Sequence, residues 1–211
     1  LPGNALDLTT FDPDDELPWD FSRKSKRVKA RRILREQRPY MLIGSPQCKE
    51  FCTWQRLNEQ RFPDDGRRQA AREAAEVHMK FVATLYQDQI DAGRYFLHEH
   101  PRWASSWSLD CIDKIAKDPR VQPVRGDQCQ YGAETQSSDG VSEKGSPILK
   151  PIGSMTNSAE MAKAWIEGAQ VKEVDAHGHE EAFTGRALGS TAPLHRSIPL
   201  ASAGRYYAEC A

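Results

Sequence analysis

No apolar run in these 211 residues approaches the roughly 20 needed to cross a bilayer. No basic-then-apolar leader with a small-residue cleavage site opens the chain. Neither a membrane partner nor a secretory signal is expected. Cysteine is scarce, with five residues scattered without regular spacing, and an odd, dispersed set argues against a disulfide framework. A reduced, intracellular setting, nuclear or cytoplasmic, is the expectation. No Cys-x-x-Cys pair occurs, so a zinc site built from Cys48, Cys52, one of His98 and His100, and the pair His177 and His179 is not favoured, and no metal is expected. Internal repeats are absent. Charge of one sign is lacking overall, since 29 basic residues stand against 30 acidic ones for a formal net charge of -1. The chain begins Leu1-Pro2-Gly3 rather than with Met, which reads as a piece of a longer polypeptide.

The length suits one sizeable α/β domain across 1–211. Charge is organised locally: the acidic "FDPDDE" is followed by the strongly basic "RKSKRVKARRILREQR". The basic stretch reads as a helix capped by Ser22. It either follows a phosphate backbone or is a solvated helix burying Val28, Ile33 and Leu34. "NALDLTT" and "PYMLIGS" read as strands, residues 66–92 as a long helix closed by Gly93, and "RYFLHEHP" as a third strand. "LDCIDKIAKD" follows as a short helix, "VQPVRGD" as a strand, 133–147 as a flexible loop, "ILKPIGSMTNS" as extended chain and "SAEMAKAWIEGA" as a capped helix. Strand–helix alternation predicts a largely parallel sheet flanked by helices. In such sheets ligands bind at the carboxyl ends of the strands, which selects Asp7, Cys48, Glu99 with His100, and 127–132. His98 and His100 are read here as facing opposite sides of their strand, with at most one at the cleft.

A cysteine and a glutamate in successive strand-end loops can act as nucleophile and proton donor. The thiol would be activated by Lys49 and by the amino end of a helix starting there, with Pro46 constraining the turn. These residues also resemble a known family. "GSPQCKEF" is similar to the Gly-x-Pro-Pro-Cys-x-x-Phe loop of the DNA (cytosine-5) methyltransferases, "FLHEHP" to their Glu-Asn-Val strand end, and "LDLT" to their Gly-Asp-Ile-Thr segment. Gln47 stands for the second proline, Lys49 for a glutamine and His100 for the asparagine. The phrases "LDLTT", "WDFS", "IGSPxC", "GRYFLHEHP", "ASSW", "DxCxYG" and "KPxxxxTNS", spread over about residues 5–158, resemble a divergent branch found in phage and mobile-element polyproteins.

The resemblance implies an incomplete Rossmann-like methyltransferase fold without the glycine-rich cofactor loop, which lies upstream in the family. Cys48 would add to C6 of a flipped cytosine, and Glu99, as a buried carboxyl of raised pKa, would act at N3. S-adenosylmethionine would donate the methyl group to C5, with Asp7 and Pro46 contacting that cofactor. Lys49, His100, Arg102 and Lys150 would contact the nucleic acid, DNA or, alternatively, RNA. Trp103 and Trp107 are candidates to stack on a base. A second chain or an upstream segment would complete the cofactor site. The alternative is a catalytically inactive remnant that binds nucleic acid or a protein through residues 23–38.

Overall fold

The computed structural model describes residues 3–53, 55, 66–134 and 150–170. The 133–147 loop falls almost wholly outside them, as do His177 and His179. Helix α1 (Lys24–Gln37) leads into strand β1 (Met41–Gly44), and helix α2 (Arg67–Asp91) carries the chain to β2 (Tyr95–Pro101). Helix α3 (Asp110–Ala116), β3 (Gln122–Asp127), β4 (Pro151–Thr156) and helix α4 (Ala159–Gln170) follow. The sheet order is β1-β2-β4-β3, with β1 parallel to β2 and β4 antiparallel to both of its neighbours. The sheet is thus mixed rather than largely parallel. Strands β1, β2 and β3 still run the same way, so their carboxyl ends share one edge, joined there by the start of β4.

Helix α2 is long because apolar side chains recur along one face from Met79 through Val82, Tyr86 and Ile90, all buried. That face packs on the even-numbered side chains of β2, with the Tyr86 ring stacked on Phe96 at 4.6 Å between centroids. Gly44 is needed there, because a Cβ would sit 2.0 Å from the Tyr86 hydroxyl oxygen. Met155, Ile112 and Ile115 complete this core. Helix α4 covers the opposite face over β3 and β4: Tyr131 lies over Gly126, packs against the Trp165 ring at 5.1 Å in a tilted arrangement and donates to the Trp165 carbonyl at 2.9 Å. Asn157 ties β4 to β2, accepting from the Phe96 amide at 2.9 Å and donating to the Arg94 carbonyl at 2.8 Å.

Three local expectations are corrected. "NALDLTT" is a turn, not a strand, because Asp7 Oδ1 accepts from the Thr9 amide, the Thr9 hydroxyl and the Thr10 amide. Such side-chain bonds compete with a sheet ladder. Ser22 does not cap α1; Arg23 stands at the cap without a side-chain bond. The buried stripe of α1 consists of Lys26 and Ala30, whereas Val28 is exposed. Lys26 is covered by the acidic loop before the helix: it donates to Asp12 at 2.7 Å and to Asp15 at 2.6 Å, and Lys29 pairs with Asp12 and Asp14. The Trp19 indole lies 5.1 Å from the Lys26 ammonium and closes the cluster.

Candidate functional site

Strands β1 and β2 end side by side, and the loops that leave them touch. The Ser45 hydroxyl donates to Glu99 Oε2 at 2.6 Å, joining the Cys48 loop directly to the carboxylate. Pro46 is buried on one side of Cys48 and Phe51 on the other, so the loop is pinned at both ends while Cys48 itself is half-buried. Phe51 is held between the Arg72 guanidinium, 4.4 Å from its centroid, and the His100 ring, 6.1 Å away. Arg72 also donates to the Glu50 carbonyl at 2.7 Å, which ties the turn to α2. At the helix expected from Lys49 the chain first makes a three-residue 3-10 turn, Lys49–Phe51, closed by the Phe51 amide on the Cys48 carbonyl at 2.8 Å, and Thr53 and Gln55 are helical beyond it. Lys49 is exposed beside the thiol.

Glu99 is half-buried rather than buried. It lies opposite Ser154 in the β2–β4 register, and the buried Ser154 hydroxyl has no partner among the described residues. His98 and His100 lie on the same face, not on opposite ones, because side chains alternate and residues two apart share a side. Their rings stack at 5.7 Å. Read from the sequence as a nucleic-acid contact, His100 is instead buried beneath the Pro46–Gln47 backbone, and its Nδ1 meets the Ser106 hydroxyl at 2.7 Å. His98 Nδ1 meets the Tyr86 hydroxyl at 2.9 Å. Burial pushes His98 down to about 3, helped by His100, and burial pushes His100 down to about 4 against its backbone neighbours. Both rings are therefore neutral supports under the edge. Burial, and then the Glu99 charge, raise the Tyr86 hydroxyl well above its ordinary range, so it stays protonated.

Arg102 and Lys150 lie on the same edge, where the Arg102 amide donates to the Pro151 carbonyl at 3.0 Å and the Gln128 amide to the Lys150 carbonyl at 3.0 Å. Trp103 is exposed, whereas Trp107 packs over Gly153 and donates to the Pro101 carbonyl at 2.9 Å. An open groove of about 570 Å³ runs from Trp103 and Ser105 past Phe51 and Cys52 to Arg68 and Arg72. Asp7 belongs to no strand and sits in an exposed turn. That turn lowers its carboxyl below the usual range, chiefly through the Thr9 hydroxyl and amide.

Asp7, with Oδ1 committed to its own turn, and Pro46, with its ring buried, do not by themselves make a site for S-adenosylmethionine. Cys129 is buried and packed. No three metal-ligating groups cluster among the described residues. Two partners of the named residues were not anticipated from sequence, Ser45 for Glu99 and Ser106 for His100. The strand-end rule that selects Cys48 covers Ser45 equally, while Ser106 is reached only because the chain turns back under β2. No family model, curated protein or solved structure matches this chain.

Proposed function

We propose that this domain is a DNA (cytosine-5) methyltransferase-like module on an incomplete Rossmann-like fold, in which Cys48 adds to C6 of cytosine and Glu99 acts at N3. The observation that carries the reading is the Ser45–Glu99 hydrogen bond, which couples the thiol-bearing loop to the carboxyl at the ends of two parallel strands. The Cys48 thiolate forms the Sγ–C6 bond, the C5–C6 π pair becomes the C4–C5 double bond, and the C4–N3 π pair moves onto N3, where it takes a proton from Glu99. The product is an enamine whose C5 is nucleophilic. Water protonates C5, the hydroxide so formed removes the original C5 hydrogen, and expulsion of the thiolate with return of the N3 proton to Glu99 restores cytosine with its C5 hydrogen exchanged. This half of the chemistry needs no methyl donor.

S-adenosylmethionine is the donor that the resemblance implies. Residues beyond those described, in this chain or a second one, would have to hold it. The same point favours a second reading, a nucleic-acid-binding module that does not methylate. DNA tritiated at cytosine C5 separates the two without added cofactor. Release of tritium to water, reduced more than about a thousandfold in Cys48→Ser, is the expected result. A covalent adduct with DNA carrying 2-pyrimidinone in place of cytosine, also lost in Cys48→Ser, corroborates it. Binding of DNA with neither exchange nor adduct overturns the catalytic reading and leaves the module that binds.

A further inference from the structure

The carboxyl edge of the sheet carries two arginines that no acid answers among the described residues. Arg102 follows β2 and Arg125 stands in β3, across Gly153 from His100. Among the described residues neither makes a salt bridge, whereas Arg31 and Arg32 of α1 and Arg72 of α2 each do. Arg125 pairs with Gly153 and Gly153 with His100, two residues before Arg102, so both arginines stand at the same strand ends, and partial burial and then the Arg102 charge lower Arg125 from its ordinary value. Like charges left together without an acid favour an anion between them. Next to them the Trp103 ring is 55 % exposed, with the Arg102 guanidinium 5.6 Å from its centroid. An exposed indole costs nothing in core packing, and an adjoining cation polarises its face.

We propose that Arg102, Arg125 and Trp103 form a track for a single-stranded polynucleotide, the guanidinium groups holding backbone phosphate and the indole carrying a base. A lone inorganic anion would not use the indole, and an acidic peptide would not need a flat aromatic face. A polynucleotide uses both at once. The track begins one residue beyond the Glu99–His100–Pro101 strand end, so a strand lying along it leads toward Glu99 and Cys48. The proposal rests on the cytosine reading only for that direction of approach.

The test uses a fluorescently labelled decamer of thymidylate, a decamer of abasic sites, and a salt series. Wild-type protein binds the thymidylate decamer with quenching of tryptophan emission. Trp103→Ala weakens binding about tenfold and Trp103→Phe restores most of it. Arg125→Gln weakens binding and reduces the steepness of the log–log salt dependence by about 0.7. The abasic decamer binds weakly and is indifferent to Trp103→Ala. The track is overturned if the wild type does not bind, if the three variants bind like the wild type, or if the abasic decamer binds as tightly as thymidylate. Both Trp103 and Arg125 are exposed, so melting curves of the variants should match the wild type and exclude misfolding. Binding without tritium exchange refutes the cytosine chemistry and leaves the track, whereas exchange with binding unchanged in every variant refutes the track alone.

Discussion

Helix α1 and the carboxyl edge of the sheet are both rich in cations, yet they treat charge in opposite ways. On α1 the acidic loop answers Lys26 and Lys29, Asp88 takes Arg31 through two bonds at 2.9 and 3.0 Å, and Arg27 donates to the Phe21 and Ser22 carbonyls. At the edge, Arg102 and Arg125 have no acidic partner among the described residues and share their surroundings with an exposed indole. The densest basic run in the sequence is therefore largely a structural brace. A sparse pair with nothing opposite it is the better candidate for a ligand, because a neutralised cation has already spent its Coulomb attraction.

The brace is tested most severely at Asp12, which is 1 % exposed and accepts from both Lys26 and Lys29. Burial alone would raise its carboxyl, but the bonds from the two lysines outweigh that and hold it far below the usual carboxylate range. Asp12→Ala leaves Lys26, itself 2 % exposed, with only the exposed Asp15 as a carboxylate partner, and removing one partner of a buried pair costs more than the pair contributed. It should give the largest fall in melting temperature of any single substitution in this cluster. Asp14→Ala, at an exposed carboxylate, should cost a small fraction of that fall. Replacing Asp12 with Leu and Lys26 with Met together should recover much of the loss. If Asp12→Ala melts like the wild type, the loop is not a brace and the contrast with the edge fails.

Acid separates the two regions by pH. His98 and His100 are pushed down to about 3 and about 4, from an ordinary value of 6.5. Below pH 6.5 the unfolded chain takes up protons that the folded one refuses. Their contribution is therefore complete above about pH 6.5, declines as pH falls to about 4, and is exhausted near 3. Asp12 behaves as a depressed carboxylate: its contribution is complete above its ordinary 3.8 and is lost only below it. The urea midpoint should thus begin to drop near pH 6.5, through uptake of up to about two protons by the histidines, before the brace is touched. In His100→Gln, where the amide can keep the Ser106 bond, about half of that slope should disappear. A midpoint flat from pH 6.5 to 4 would mean that the stacked rings are not buried neutral.

Elements whose apolar pattern matches a single period were legible. The helix expected over 66–92 is α2 at Arg67–Asp91, and the strand expected over 94–101 is β2 at Tyr95–Pro101. Cys48 and Glu99 were reachable by one rule, that the carboxyl ends of co-directed strands gather functional groups. Legibility ended where side chains compete with the backbone or depend on distant partners. "NALDLTT" has the composition of a strand, but Asp7 bonds to Thr9 and Thr10 and curls it. Lys26 is a surface residue by type, and its burial follows only from a loop 11 to 14 residues earlier folding over it. Arg125 reads as an ordinary strand cation until β4 inserts between β2 and β3 and brings it toward Arg102.

The mildest expected effect decides between brace and binding surface. Lys24, Arg32 and Arg35 are the exposed cations on the outer side of α1, and Arg32 reaches only Glu36, at 3.8 Å across two well-exposed side chains. A pair of that kind contributes roughly 0–1 kcal/mol, so the combined variant Arg32→Gln with Arg35→Gln should melt like the wild type. Its binding of the thymidylate decamer should change by less than about twofold, and its salt dependence should stay parallel to that of the wild type, because no phosphate contact is lost. Arg125→Gln, which removes one charge instead of two, should do more. Were the double variant to shed two contacts' worth of salt dependence while Arg125→Gln shed none, the run at 23–38 would be the interface. The unanswered pair at the sheet edge would then be no more than a tolerated repulsion, and the non-catalytic module would become the stronger account of the chain.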